Sequence, residues 1–440
     1  MYIHGTSHIN QFGHLEIGGV DTVQLAKQFG TPLFIYDVSL IRERAAAFQQ
    51  AFIDEGIPYQ VAYASKAFSC LAMFQLADEL GLSLDVVSGG ELFTAIQAGV
   101  PMEKVHFHGN NKSIAELEMA VDAGIGCVVV DNFYELDQLS RISWEKGKLM
   151  KILLRITPGI EAHTHEYIST GQEDSKFGFD IESGQATEAV KRALKAEYIE
   201  LLGVHSHIGS QIFESAGFVM AVEKVYRSLE QWRDELGFES SVLNLGGGFG
   251  IRYTEEDQPL PVGNYVREMI AIVKQKSAEL GMNIPEIWIE PGRSLVGDAG
   301  TTLYSIGSSK ELPAIRNYLS VDGGMSDNLR PALYQAKYEA VLANRVNDRA
   351  EEVYSIAGKC CESGDMLIWD LPLPKANHED ILAVFCTGAY GYSMANNYNR
   401  IPRPAVVFVE NSEAHIVIER ESYADLVRLD RPLAKVVNHL

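Results

Sequence analysis

The chain has no apolar run long enough to cross a bilayer, which excludes a helical membrane protein. Its opening residues, MYIHGTSHINQFGHLEIGG, show neither the basic start nor the apolar stretch of a secretory signal, so the expected compartment is the cytoplasm. Cysteine is scarce, with five in 440 residues (Cys70, Cys127, Cys360, Cys361, Cys386). The number is odd and the spacing matches no metal site, which excludes a disulfide framework. Positive charge is also short: 37 Lys and Arg stand against 59 Asp and Glu, and a net charge of -22 repels phosphate backbones. Nucleic acid is therefore excluded as a partner. There is no internal repeat and no low-complexity stretch.

What is present reads as an ordinary globular chain, 46% hydrophobic and 22% charged. The length calls for two cores, or for a large barrel with an appendage. Between residues 59 and 293, eight β-branched runs each end in Gly, Ser, Asp or His and lead into helical spacing. They are YQVAYASKA, LSLDVVSGG, VHFHGNN, GCVVVDN, KILLRITPG, LLGVHSHIGS, VLNLGGGFG and EIWIEPGR. This periodicity predicts an α/β fold, a (β/α)8 TIM-type barrel over 38–295. After residue 296 the runs YLSVDGG, EEVYSIAG, ILAVFCTGAYG, AVVFVEN and AHIVIERES predict a mainly β C-terminal domain. The N-terminal segment has no place inside the barrel, so 1–37 is assigned with 296–440. The polar stretch over 158–180 is expected to overhang the barrel mouth.

Barrels of this kind carry their chemistry at the C-terminal ends of the strands. Lys66, closing the first run, is expected in a low-dielectric mouth as a nucleophilic amine; the alternative is a lysine that snorkels at a strand end. Gly246, Gly247, Gly248 and Gly250 close the seventh run, where a glycine turn exposes amides to a phosphate or simply makes a tight turn. Glu290, in EPGR, can hold a proton on a pyridine nitrogen or pair with Arg293. His205 and His207 alternate on one strand, and His106/His108 and His163/His165 repeat the spacing. Such pairs can bind zinc, but no carboxylate obviously completes a triad with them. Cys360 and Cys361, in CCESGD, supply either an exposed proton donor or a buried hydrophobe.

Taken in order, AYASKA, HSHIGSQ, NLGGGFGI, EPGR, SDNLRPALY, CCESGD and GAYGYSMANNYN resemble the diaminopimelate decarboxylase family, in the alanine-racemase-like fold type III of pyridoxal-phosphate enzymes. The resemblance runs over nearly the whole chain. It implies pyridoxal 5'-phosphate as cofactor, no metal, and decarboxylation of meso-2,6-diaminopimelate at its D centre to L-lysine.

The resemblance also implies residue roles. Lys66 would hold the cofactor covalently, His207 stack on its ring and Glu290 bond the ring nitrogen. Ser210, the Gly246–Gly248 backbone, Gly292 with the rest of the EPGR loop and Tyr390 would hold the phosphate. Asp85, Glu91 and Arg155 would support lysine and cofactor. Arg293, Arg330, Tyr334, Tyr390 and Glu362 would read the substrate. Cys361 would supply a proton from the neighbouring subunit, so the β-rich domain contributes to the active site and to a homodimer with shared sites. Two alternatives remain: a related decarboxylase of carboxynorspermidine or a basic amino acid, and a non-catalytic cofactor-binding homologue.

Overall fold

The computed structural model describes residues 3–160 and 175–433. By their contacts these fall into two units, one comprising the chain up to Thr6, Asp37–Gly300 and Cys386–Ser393, the other Ser7–Tyr36, Thr301–Phe385 and the chain from Met394 onward.

The first unit is a closed parallel barrel. Its strands are β1 (Tyr59–Ala64), β2 (Ser83–Val86), β3 (Val105–Phe107), β4 (Cys127–Val130), β5 (Met150–Thr157), β6 (Ile199–His205), β7 (Val242–Asn244) and β8 (Glu286–Ile289). Each pairs with the next in the chain, and β8 returns to β1 with Ile287 opposite Tyr59, so no edge is left. These strands read as near-continuous apolar runs because helices cover one face and the barrel interior the other. The helices begin and end where local chemistry dictates. Ser113, for instance, starts Ile114–Ala123 with a reciprocal capping box to Glu116, and Gly124 ends it in the left-handed conformation. On that helix Leu117, Ala120 and Val121 are buried, whereas Ala115 faces solvent.

The second unit is built on a sheet in the order Met366–Leu373, Glu352–Ala357, Arg316–Val321, Gly300–Leu312, Leu33–Asp37, Ala405–Glu410, Glu413–Ile418. The N-terminal strand Leu33–Asp37 thus lies in the middle of a sheet otherwise made by the C-terminal half. The boundaries expected from sequence, 38–295 against 1–37 with 296–440, differ from the contact units most visibly at Cys386–Ser393. That segment groups with the barrel because its backbone bonds there: Thr387 N–H to Gly300 O, Gly388 N–H to Gly297 O and Tyr390 N–H to Ala67 O. Among the described residues, no helix is long and apolar enough to cross a membrane.

Candidate active site

A cavity of about 350 Å³, within the usual range for small-ligand pockets, lies at the C-terminal ends of the barrel strands. Its lining draws on residues at or just past the ends of β1, β2, β3, β5, β6, β7 and β8, together with Tyr390.

Among its lining residues is Glu290, one residue past β8. Asn244, the last residue of β7, donates to Glu290 Oε1 at 2.6 Å, His205 Nε2 lies 3.1 Å from the same oxygen, and His108 Nε2 lies 3.3 Å from it. Burial alone would keep this carboxyl protonated. His108 and His205, the latter also hydrogen-bonded to it, outweigh burial and hold Glu290 well below the usual carboxylate range. Burial also works against a charge on His108, yet Glu290 and Asp85 together push that imidazole up, while burial keeps His205 down. Among the described residues Glu290 makes no ion pair with Arg293; its partners come from three other strands. The expectation that no carboxylate joins the histidine pairs is corrected here, since barrel closure brings Glu290 to within 4.8 Å of both His108 and His205 ligand nitrogens. His163 and His165 lie outside the described residues.

His207 faces the same cavity. The Gly247 N–H donates to its Nδ1 at 3.2 Å, which makes that nitrogen an acceptor. Burial, with Lys66 and Arg155 nearby, keeps His207 well below the ordinary imidazole range and therefore neutral.

Ser210, Gly248, Gly292, Arg293 and Tyr390 also line the cavity. Arg293 is buried, donates to Ser210 Oγ at 3.0 Å and to the Tyr253 hydroxyl, and lies 4.9 Å from the Tyr390 ring centre. The glycine turn is narrower in its offering than the sequence suggested. The Gly246 amide is committed to Asn244 Oδ1 at 2.9 Å and the Gly247 amide to His207, so Gly248 alone of the three lines the cavity. All three must nevertheless be glycine. A β-carbon would stand 2.6 Å from Ser206 O at Gly246, 2.1 Å from Glu290 O at Gly247 and 2.3 Å from Gly209 O at Gly248, where φ is +104°.

Strand β1 stops at Ala64 and tightens into a 3₁₀ turn over Ser65–Ala67, which carries Lys66 to the cavity rim. Lys66 is exposed there, so the low-dielectric setting expected from sequence is not found. Glu91 lies nearby; burial pushes its carboxyl up, although it accepts the Val87 N–H at 2.6 Å. Asp85 is buried in the cavity wall. Arg155 packs over Phe177 at 4.2 Å, and burial lowers it against the pull of Asp131 and Glu290. Phe177 belongs to the polar stretch expected over the mouth, and it does line the cavity; residues 161–174 of that stretch lie outside the described ones.

Arg330, Tyr334, Cys361 and Glu362 belong to the second unit and are not among the residues lining this cavity. Arg330 is buried and donates to the Tyr338 hydroxyl at 2.9 Å. Cys361 is exposed and its amide bonds Asn399 Oδ1 at 2.7 Å, whereas Cys360 is buried and its thiol is pushed up to about 11, chiefly by that burial.

Sequence reasoning passed over Asn244 and Phe177 and weighed His108 only as a zinc ligand. Asn244 had a usable signal: it is a polar residue closing a strand two positions before Gly246.

A pyridine ring bearing an aldehyde and a phosphate fits this donor set. A nearly buried carboxylate held ionised suits a protonated ring nitrogen, an exposed amine lines the same cavity, and a buried arginine bonded to a serine hydroxyl suits a phosphate. A family described as pyridoxal-dependent decarboxylase, pyridoxal binding domain, matches residues 38–297. The chain is 75% identical over 437 residues to a diaminopimelate decarboxylase of Halalkalibacterium halodurans, covering 99% of this chain and 100% of the relative. It is 66% identical to that of Bacillus subtilis, covering 98% of both. The structure of diaminopimelate decarboxylase from M. jannaschii in complex with L-lysine superposes with a TM-score of 0.91 at 38% identity, covering 97% of this chain and 98% of that one. The chain therefore belongs to the diaminopimelate decarboxylases, within the pyridoxal-dependent decarboxylases.

Proposed function

We propose that this protein decarboxylates meso-2,6-diaminopimelate at its D centre, giving L-lysine and CO2, with pyridoxal 5'-phosphate as cofactor. The observation that carries the reading is the meeting of an ionised, buried Glu290 with an accessible Lys66 in one barrel-mouth cavity, in a chain 75% identical to a diaminopimelate decarboxylase. Bound cofactor supplies an electron sink for the bond broken on loss of CO2.

The chain's own residues do the rest. Lys66 would hold the cofactor through its amine. Glu290, kept anionic by His108 and His205, would favour a protonated ring nitrogen. His207, neutral, would pack against the cofactor ring. Ser210, the Gly248 amide, Gly292, Tyr390 and the positive field of Arg293 would hold the phosphate, with Asp85, Glu91 and Arg155 as supporting residues. Arg330, already oriented by Tyr338, takes the distal carboxylate in the bidentate geometry that only arginine provides. Tyr334 and Glu362 recognise the distal ammonium end. Cys361 delivers the proton that replaces CO2, reaching the site of a second subunit in a homodimer with isologous interfaces. The compartment is the cytoplasm. Incubation with pyridoxal phosphate and meso-diaminopimelate should release CO2 and lysine in equal amounts. Release from lysine or ornithine at a comparable rate would overturn the substrate assignment.

A further inference from the structure

We propose that the cofactor-free protein binds a divalent transition ion, Zn2+ or its close analogues, through His108, His205 and Glu290, and that this ion and the cofactor exclude one another. The binding half of the proposal stands on geometry alone; the exclusion half rests on Glu290 being the partner of the cofactor ring.

The two histidines and the carboxylate form the His2Glu donor set found in open zinc sites, where a water takes the fourth position. Two ligands at about 2.0–2.1 Å from a tetrahedral ion are separated by about 3.3–3.4 Å. Glu290 Oε1 stands 3.1 Å from His205 Nε2 and 3.3 Å from His108 Nε2. The whole set lies within 4.8 Å, so only the two histidines need close on one another. Their rings meet edge to face with centres 5.1 Å apart.

A second observation points to a ligand. His108 Nε2 is fully buried and, among the described residues, makes no hydrogen bond of adequate geometry, although it faces both Glu290 and Asp85. A buried nitrogen set 3.3 Å from one carboxylate and 3.4 Å from another, without a well-formed hydrogen bond to either, is expensive, and a divalent cation that replaces its proton would satisfy all three groups. Glu290 is held in place from behind by Asn244 at 2.6 Å, the kind of outer support that orients a ligating carboxylate. The cavity gives an ion a way in. An ion on Glu290 Oε1 would neutralise the negative charge that favours a protonated ring nitrogen and set a second positive charge beside it, so ion and cofactor compete for one carboxylate.

The test uses the full chain stripped of cofactor and treated with chelator. Titration with Co2+ should give the intense visible bands of a four- or five-coordinate site with one equivalent bound, and Zn2+ should displace it. Saturating pyridoxal phosphate should bleach those bands in the unmodified protein. His108→Gln should weaken the ion more than about 100-fold, the upper end of what loss of even an outer-shell partner produces. Absence of the bands up to millimolar Co2+, or an ion whose affinity is unchanged in His108→Gln, overturns the site. Should that variant fail to fold, the displacement experiment on the unmodified protein still decides: bands that persist under saturating cofactor overturn the exclusion. The proposed decarboxylation is judged separately, by lysine formation in chelator-treated, cofactor-loaded protein, so the two readings fail independently.

Discussion

The barrel mouth and the loops of the second unit hold their polar groups in opposite ways. In the barrel, Asp85, His108, His205, Asn244 and Glu290 stand on or just past five different strands, are buried or, for Glu290, nearly so, and set one another's charge. In the second unit, Asp327 and Asp365 act as anchors beneath loops: Asp365 accepts the Met325 and Cys360 amides, and Asp327 accepts the Gly324 amide and the Tyr304 hydroxyl. The residues those loops present, Cys361 above all, are left accessible. A group that must keep one ionisation state is locked among side chains, while a group that must meet a substrate is displayed on a braced loop.

That contrast is most sharply broken or kept by two substitutions, one in each region. Lys66→Ala should abolish both the covalent cofactor absorption band and turnover; a variant that keeps band and rate would remove Lys66 from its assigned role. Cys361→Ala should leave the band intact while slowing kcat by about 10²–10⁴, the contribution typical of a positioned proton donor. If instead the Cys361 variant lost the band, the separation of cofactor and substrate functions between the two regions would be wrong.

The barrel was legible in the sequence because each strand is a short apolar run closed by Gly, Ser, Asp or His, and parallel strands buried on both faces have no other way to read. The mouth was legible for the same reason: Lys66, His207, Glu290 and Arg293 all stand just past strand ends. Two things were not legible. The return of Cys386–Ser393 to the barrel depends on backbone bonds to Gly297, Gly300 and Ala67, and backbone bonds leave no trace in residue type. The commitment of the Gly246 and Gly247 amides depends on where Asn244 and His207 point, so a glycine run announced an available cradle while only Gly248 offers one.

Asp327 gives the second region a pH signature of its own. Burial, with Asp365 and Asp322 adding to it, raises this carboxyl to about 7. In the unfolded chain it titrates near about 3.9. Between those values the folded state holds a proton the unfolded state has lost, so the stabilisation is complete below about pH 4, declines as pH rises, and is gone above about pH 7. Thermal unfolding of the second unit should therefore show stability falling across that window by up to a few kcal/mol. Asp327→Asn should flatten the slope. A slope of the same size in the variant would assign it to another group.

The smallest expected effect probes the barrel's side of the contrast. Asn244 makes two bonds with one side chain, donating to Glu290 Oε1 at 2.6 Å and accepting from the Gly246 amide at 2.9 Å. Asn244→Ala removes a donor that favours ionised Glu290, so that carboxyl should move up and the acid limb of the pH–rate profile should move with it. Loss of one such bond in a buried setting costs about 1–3 kcal/mol, which places the drop in kcat near 10-fold. Asn244→Asp keeps the acceptor for Gly246 but sets a second carboxylate against Glu290, and it should be the more damaging of the two. If the alanine and aspartate variants behaved alike, Asn244 would matter through the glycine turn and not through the charge of Glu290; if both matched the parent, the histidines alone would suffice to keep that carboxylate ionised.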